Sequence, residues 1–333
     1  MQRIMQEKLM DHSNIRWGIL GTADIAKGQM IPGMQLSRYC QLYAIAGRSP
    51  EKAKLFQQLF GFQHAYSSYD DLLNDPDVQA VYIPLPNDLH FEWTIKALKA
   101  KKHVLCEKPL AVSEAQAQQM FRTAEENGVF LMEAFAYLHS PFIQAVKTKL
   151  DSGLIGQIKY FESVFITGRR PETDIRLRKE TYGGAWYDLG CFPLSLFLWL
   201  LNAEPDSVQA AACFSDKKID LFTSALLSCE NGMIASLDCG MVLSDGRLDR
   251  FRIHGTDGAI CSPYRFNQSG QTSYTVTCSG REETHTLQVP NNYMLEADQF
   301  SRCILFGEKP FVTPDFSIMT ARVTDSVMRA IGY

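Results

Sequence analysis

Residues 105–111, LCEKPLA, place Glu107, Lys108 and Pro109 directly behind an apolar run. A lysine at a strand end is ordinarily a solvated rim residue, since lysine is rarely buried. Its other use is chemical: an ammonium group can stabilise an oxygen that becomes negative as hydride reaches its carbon, and can supply the proton. A second candidate lies in GILGTADIA, where Gly21, Ala23 and Ala26 occupy the spacing of a G-x-G-x-x-G turn. There Gly21, Thr22, Ala23, Asp24 and Ile25 would bring backbone N–H groups and a helix N-terminus to a pyrophosphate. Two alanines in three positions make that motif weak by itself, and a small-residue turn without a ligand fits it too. A third candidate is Arg48, Ser49 and Lys52, in GRSPEKA. Dinucleotide domains that take NAD usually carry an acid at that strand end for the ribose 2′-OH. Two cations and no acid suit a 2′-phosphate, so NADP is the expected cofactor, with NAD possible.

These residues need elements to hold them, and the first half of the chain supplies an alternation. Apolar runs IRWGIL, LYAIAG, HAY, VQAVYIP, HVLC and VFLMEAF read as six strands, and polar periodic runs between them read as helices. The helix after Ser49 has its cap, Pro50 at its first position and Gly61 at its stop. The one after Ser113 pairs that cap with Gln116 and stops at Gly128. Pro32 should disturb the first helix, because it cannot donate to the helical ladder. Strands apolar on both faces and separated by helices imply a doubly wound parallel sheet, with ligands beyond its carboxyl edge. Later, ENG (230–232), TDG (256–258) and SG (279–280) mark hairpins of an antiparallel sheet.

A chain of 333 residues suggests two domains. Its net charge of −4, without a basic block, argues against nucleic acid as a partner. The nine cysteines are scattered, with no CxxC pair, and read as free thiols in a reducing compartment; no metal site is expected. No apolar leader or 18-residue apolar span is seen, so no membrane partner and a cytoplasmic location are expected.

Taken together, IRWGILGTADIA, AGRSPEKA, VYIPLPNDLHFEWTIKALKAKKHVLCEKPLA, LMEAF and GGAWYDLGCF resemble the Gfo/Idh/MocA oxidoreductases, in order and at that family's spacing. The resemblance implies an α/β chain: an N-terminal Rossmann domain over 15–136, after an extension over 1–14. It further implies a C-terminal α+β domain over 137–333, built on a large, open, mostly antiparallel sheet that commonly makes a homodimer or higher homo-oligomer. It implies that Lys108 polarises the reacting oxygen at the nicotinamide, with a Lys–Pro bond often in cis. Pro86, Asn87, His90, Glu107 and Glu133 would neighbour the cofactor, though His90 could be a plain capping or packing residue and Glu107 a structural ion-pair partner. Asp188 would contact a sugar, cyclitol or similar polyhydroxylated substrate.

The chain departs from that pattern at Leu138, in AFAYLHSP, where many relatives carry a basic residue, and more sharply at a second position. Where relatives carry Tyr or His to relay the proton, it has Phe192, which can neither donate nor accept one. Lys108 with a lowered pKa could supply the proton alone, or Tyr187, Tyr182 or His139 could have taken over near the substrate. Tyr187 is a weak substitute, because it precedes Asp188 by one residue and points elsewhere on a helix. Loss of catalysis, leaving a cofactor-bound sensor, is the rival reading, and redox-neutral use of bound NAD by glycosidases a more distant one.

Overall fold

The structure, a computed structural model, describes residues 14–333, so the expected extension lies outside the described residues except for Asn14. Six strands, β1 (Ile15–Leu20), β2 (Cys40–Ala46), β3 (His64–Tyr66), β4 (Ala80–Ile83), β5 (His103–Glu107) and β6 (Leu131–Ala134), form the first sheet. Their order is β3-β2-β1-β4-β5-β6 and every pairing is parallel. The order reverses at β1/β4, and at such a switch point the loops diverge and leave a crevice beyond the strand ends. β4 is buried at every residue and β5 at all but its first, as two covered faces require.

The helices follow the punctuation in the sequence. Ser49 caps Pro50–Phe60 by accepting from the Lys52 N–H, and Ser113 caps Glu114–Asn127 by accepting from the Gln116 N–H. Gly61 and Gly128 end those helices in the left-handed conformation. Pro32 does not end the first helix, which runs on to Leu36, but the turn directly before it is widened into a π turn over Ala26–Met30, a local disturbance of the ladder of the kind expected where one residue cannot donate. A short helix, Tyr69–Asn74, lies where only a connection is legible in the sequence.

The second sheet has eight strands: β7 (Ile158–Gly168), β8 (Ser207–Phe214), β9 (Asp220–Ser228), β10 (Ile234–Leu243), β11 (Arg247–Gly255), β12 (Gly258–Ser262), β13 (Gly270–Cys278) and β14 (Arg281–Val289). Their order is β14-β13-β12-β11-β7-β10-β9-β8, antiparallel except where β10 runs parallel to β7. Helix Cys191–Leu201, apolar almost all round, is buried against this sheet, with the Phe197 and Phe161 rings 5.5 Å apart. Helix Asn292–Phe306 returns to the first sheet, where Trp17 donates to the Ser301 hydroxyl and its ring lies 5.7 Å from Phe300.

Between the sheets runs GGAWYDLG. Gly184 has φ +121°, and a Cβ there would strike the carboxylate of Asp220, which accepts from the Trp186 N–H at 2.8 Å and the Thr223 hydroxyl at 2.8 Å. A π turn over Trp186–Gly190 follows and carries Asp188; such bulges frequently mark functional positions. Gly184→Ala should therefore destabilise the protein by about 1–3 kcal/mol. A lowered urea midpoint with an unchanged m-value is the expected result.

Candidate active site

A cavity of about 740 Å³ opens beyond the carboxyl ends of β1, β2, β4 and β5 and reaches the second sheet's connecting loops. At one end Gly21 turns with φ +120°, a conformation L side chains rarely adopt, and its N–H bonds the Ala46 carbonyl at 2.8 Å. Thr22, Ala23, Asp24 and Ile25 continue the wall, and Arg48, Ser49 and Lys52 line it from the end of β2. Among the described residues neither Arg48 nor Lys52 has a carboxylate within ion-pair range. A glycine turn for a pyrophosphate and two cations without a carboxylate partner, Arg48 being bonded to the Tyr69 hydroxyl, fit a dinucleotide with an added phosphate.

Pro86 and Asn87 line the middle, and the Asn87 side chain donates to the Tyr182 carbonyl across the cavity at 2.9 Å. Beyond them β5 ends on Glu107 and Lys108, and the Lys108–Pro109 bond is cis. Lys108 Nζ donates to the Asp188 backbone carbonyl at 2.7 Å and to its Oδ1 at 3.3 Å. The same ammonium lies 4.8 Å from the Phe192 ring centroid, within cation–π range. Both partners are largely buried, the lysine side chain 14% and the aspartate 12% exposed, which strengthens the attraction.

Burial opposes the charge on Lys108, but the Cys191 thiol, Asp188 and Glu107 around it outweigh that cost and raise its pKa above the ordinary lysine value. Asp188 is the cause the geometry supports, because burial pushes the Cys191 thiol itself up to about 12 and leaves it neutral. This direction is opposite to the lowered lysine pKa that one of the sequence readings invoked, and it keeps Lys108 an ammonium. Burial would likewise raise the Asp188 pKa, yet Lys108, Arg176 and Arg170 hold it down at about 2. Arg176 Nε stands 2.8 Å from Asp188 Oδ2 and Arg170 3.6 Å from it. Neither contact is aligned as a hydrogen bond, so their attraction is electrostatic.

Several expected neighbours stand behind the wall or away from it. His90 is buried with Nδ1 2.8 Å from the Pro109 carbonyl and Nε2 2.7 Å from that of Leu85. Burial lowers its pKa, and the neutral ring can donate to one of the two. Glu133, also buried, accepts the Leu110 N–H at 2.9 Å, so His90 and Glu133 hold the turn that aims Lys108. Glu107 lines the cavity and accepts from Tyr82 at 2.6 Å. Two substrate candidates are corrected. Tyr187 turns its hydroxyl to the Val112 carbonyl at 3.3 Å and packs between Tyr182 and Tyr333, outside the cavity wall. His139 is a core residue, its ring 4.9 Å from Phe311 and its pKa lowered to about 3 by burial and the charge of Arg302.

The wall also holds residues that the motifs did not reveal: Arg170, Asp174, Arg176, Asn267 and Tyr293. The first three come from GRRPETDIR, and a dense run of cations at the end of a long strand was their one available signal. Asn267 and Tyr293 are far apart in sequence, and only the fold brings the amide to the phenol oxygen at 3.0 Å.

A Rossmann sheet with a buried lysine at its edge, facing a glycine-turn cleft, defines a nicotinamide-dependent oxidoreductase. The model for the oxidoreductase family with an NAD-binding Rossmann fold matches residues 15–135, and that for the GFO/IDH/MocA C-terminal domain matches 143–261; the chain belongs to the Gfo/Idh/MocA family. It is 33% identical to a dTDP-3,4-didehydro-2,6-dideoxy-alpha-D-glucose 3-reductase of Actinomadura kijaniata, over 94% of each chain. It is also 33% identical to D-xylose 1-dehydrogenase (NADP(+)) 2 of Haloferax volcanii, over 93% of this chain and 95% of that one. Among solved structures it is similar to KijD10, a 3-ketoreductase from Actinomadura kijaniata in complex with NADP and TDP-benzene. The TM-score is 0.90 at 32% identity, covering 96% of this chain and 98% of that one. Among the described residues no helix is long and apolar enough to cross a membrane, and no group of three or more potential ligands could hold a metal.

Burial raises the Glu133 pKa from 4.5 to about 7, so its ionised form is the penalised one. The sign follows: the protonated group costs nothing below pH 4.5, and stability is lost as pH rises through about 7. Glu133→Gln keeps the acceptor for Leu110 and removes that loss. Above pH 7 it should be more stable than the native protein by up to ~3 kcal/mol, an advantage that vanishes toward pH 4.5 in paired urea titrations.

Proposed function

We propose that this protein is an NADPH-dependent reductase of a ketone on a sugar or similar polyhydroxylated small molecule, able to run in reverse as a dehydrogenase of the secondary alcohol. The observation that carries the reading is the buried Lys108 ammonium, held by Asp188 at the edge of β5 within the cavity that Gly21, Arg48 and Lys52 also line. When bound, the reduced dinucleotide supplies the hydride that the carbonyl carbon gains.

Lys108 donates a hydrogen bond to the carbonyl oxygen and stabilises its growing negative charge. As that oxygen becomes an alkoxide, a proton leaves Nζ for it, giving the alcohol and a neutral amine, and the amine is recharged through the partly open cavity. Asp188 keeps the ammonium aimed, and its charge is what restores the proton afterwards. Phe192 supplies no proton, but its π face supports the cation. The raised Lys108 pKa supports the lysine as the proton-donating group in reduction, because its charged form is the resident one. The 2′-phosphate of NADP(H) is assigned to Arg48 and Lys52, which have no carboxylate in ion-pair range among the described residues. D-xylose 1-dehydrogenase (NADP(+)) 2 and the 3-reductase are among the relatives that support catalysis, and a cofactor-bound sensor is not favoured.

We assign the outward face of the second sheet to a second copy of this chain. Leu226 and Leu248 are exposed there at 41% and 37% beside the Arg250–Glu162 pair. Sedimentation velocity should show a dimer.

Lys108→Met should lower kcat for NADPH-driven reduction by about 10²–10⁴-fold while NADPH still binds and protects against unfolding. An unchanged kcat in the folded variant would refute the mechanism. Arg48→Ala should weaken NADPH binding far more than NADH binding, as measured by fluorescence titration.

A further inference from the structure

Three cations converge on one carboxylate at the substrate end of the cavity. Lys108 takes Asp188 Oδ1, while Arg176 and Arg170 both face Oδ2. Asp174 offsets part of this by pairing with Arg176 Nη1 at 3.3 Å. Arg170 has no other ion-pair partner among the described residues, and the Nε atoms of both arginines are buried without an aligned acceptor. Arg176 is thus engaged with two carboxylates, whereas the Arg170 guanidinium, its side chain 31% exposed at the cavity, keeps donors for a further oxygen beyond its 3.6 Å contact with Asp188.

The dinucleotide does not account for these donors. Its phosphates belong at the ends of β1 and β2, whereas Lys108 follows β5, and β4 and β1 lie between β5 and β2 in the sheet. Three strand spacings place those cations about 14 Å away. Both arginines come instead from the connection between the end of β7 and the π turn that carries Asp188. Thr173 and Thr181 of the same connection also line the cavity.

We propose that Arg170 and Arg176 form a subsite for an anionic substituent of the substrate, a carboxylate or a phosphate ester carried near the reacting carbonyl. The subsite rests on the reductase reading and names its substrate class. A planar, bidentate donor pair matches either anion, and an incoming oxyanion takes up the guanidinium donors that Asp188 leaves unaligned. Asp188 then remains with Lys108, so the same event that binds the substrate leaves the proton donor in place. A neutral sugar gains nothing from these two arginines.

The test compares glucose, glucuronate and glucose 6-phosphate with saturating NADP+, so that Arg48 and Lys52 are already occupied. One charged sugar should exceed glucose in kcat/KM by about tenfold or more, and Arg170→Gln should reduce that charged-to-neutral ratio by about tenfold, with Arg170→Lys between. The better of the two charged arms identifies carboxylate or phosphate. A ratio near or below one in the native protein, or one unaltered by Arg170→Gln, overturns the subsite. Should no sugar be turned over, the same three probes are read by thermal shift of the NADP+ complex. A rise in Tm with a charged sugar alone, lost in Arg170→Gln, supports the subsite even though the choice of oxidisable sugar was wrong. Equal shifts with all three, or none, reject it.

Discussion

The contact between Lys108 and Asp188 joins the two halves of the molecule within the cavity that both residues line. The lysine follows β5 of the first sheet, and the aspartate rides on a π turn between strands of the second. Neither charge could be left alone at that depth, since breaking a buried pair leaves one ion unpaired at about 3–5 kcal/mol. The fold therefore closes the cleft and holds the ammonium with the same interaction. Gly184, Asp220 and the Trp186 N–H place the aspartate; His90 and Glu133 place the turn that carries the lysine.

This arrangement decides which protonation state the site keeps. Burial alone would drive a proton off the lysine and onto the aspartate. Their mutual attraction reverses both tendencies; Arg176 and Arg170 add to it at the aspartate, whereas Arg176 opposes the charge on the lysine, and the pair stays charged. Nearby acids without a cation go the other way. Glu133 rises to about 7, and Glu296, with both oxygens unpartnered, rises well above its ordinary value. The interior around the cleft thus contains a fixed ammonium and, from β6 and the helix Asn292–Phe306, carboxyl groups inclined to hold their protons. In the proposed mechanism the phenylalanine at residue 192 is tolerable, because the lysine would carry the proton that a tyrosine or histidine would otherwise relay.

Much of the first sheet was legible because local signals agreed with the global answer: caps at Ser49 and Ser113, left-handed stops at Gly61 and Gly128, and apolar runs of strand length. The glycine turn and the cations at Arg48 and Lys52 were legible for the same reason, being contiguous with elements that the pattern marks. The hairpins at 230–232, 256–258 and 279–280 join antiparallel neighbours as their turn residues imply. The parallel pairing of β10 with β7 was not legible, because no turn residue reports on strands so distant in sequence. The same limit applies to Arg176, Asn267 and Tyr293, whose place in the wall depends on tertiary approach. His139 misled because histidine in a motif-like context suggests chemistry, whereas this ring is surrounded by Phe311 and the core. Tyr187, expected near the substrate, turns its hydroxyl to Val112 instead, since neighbouring residues on a helical turn face different directions.

The central claim is that Asp188 keeps Lys108 charged inside the cleft. NMR titration of the lysine side chains, with the Lys108 signal assigned by its absence in Lys108→Arg, measures this directly. The account predicts that Lys108 titrates above the ordinary lysine value of 10.5 and falls when Asp188 is replaced by Asn. A Lys108 signal that titrates below that value in the native protein, or one indifferent to Asp188→Asn, would contradict it.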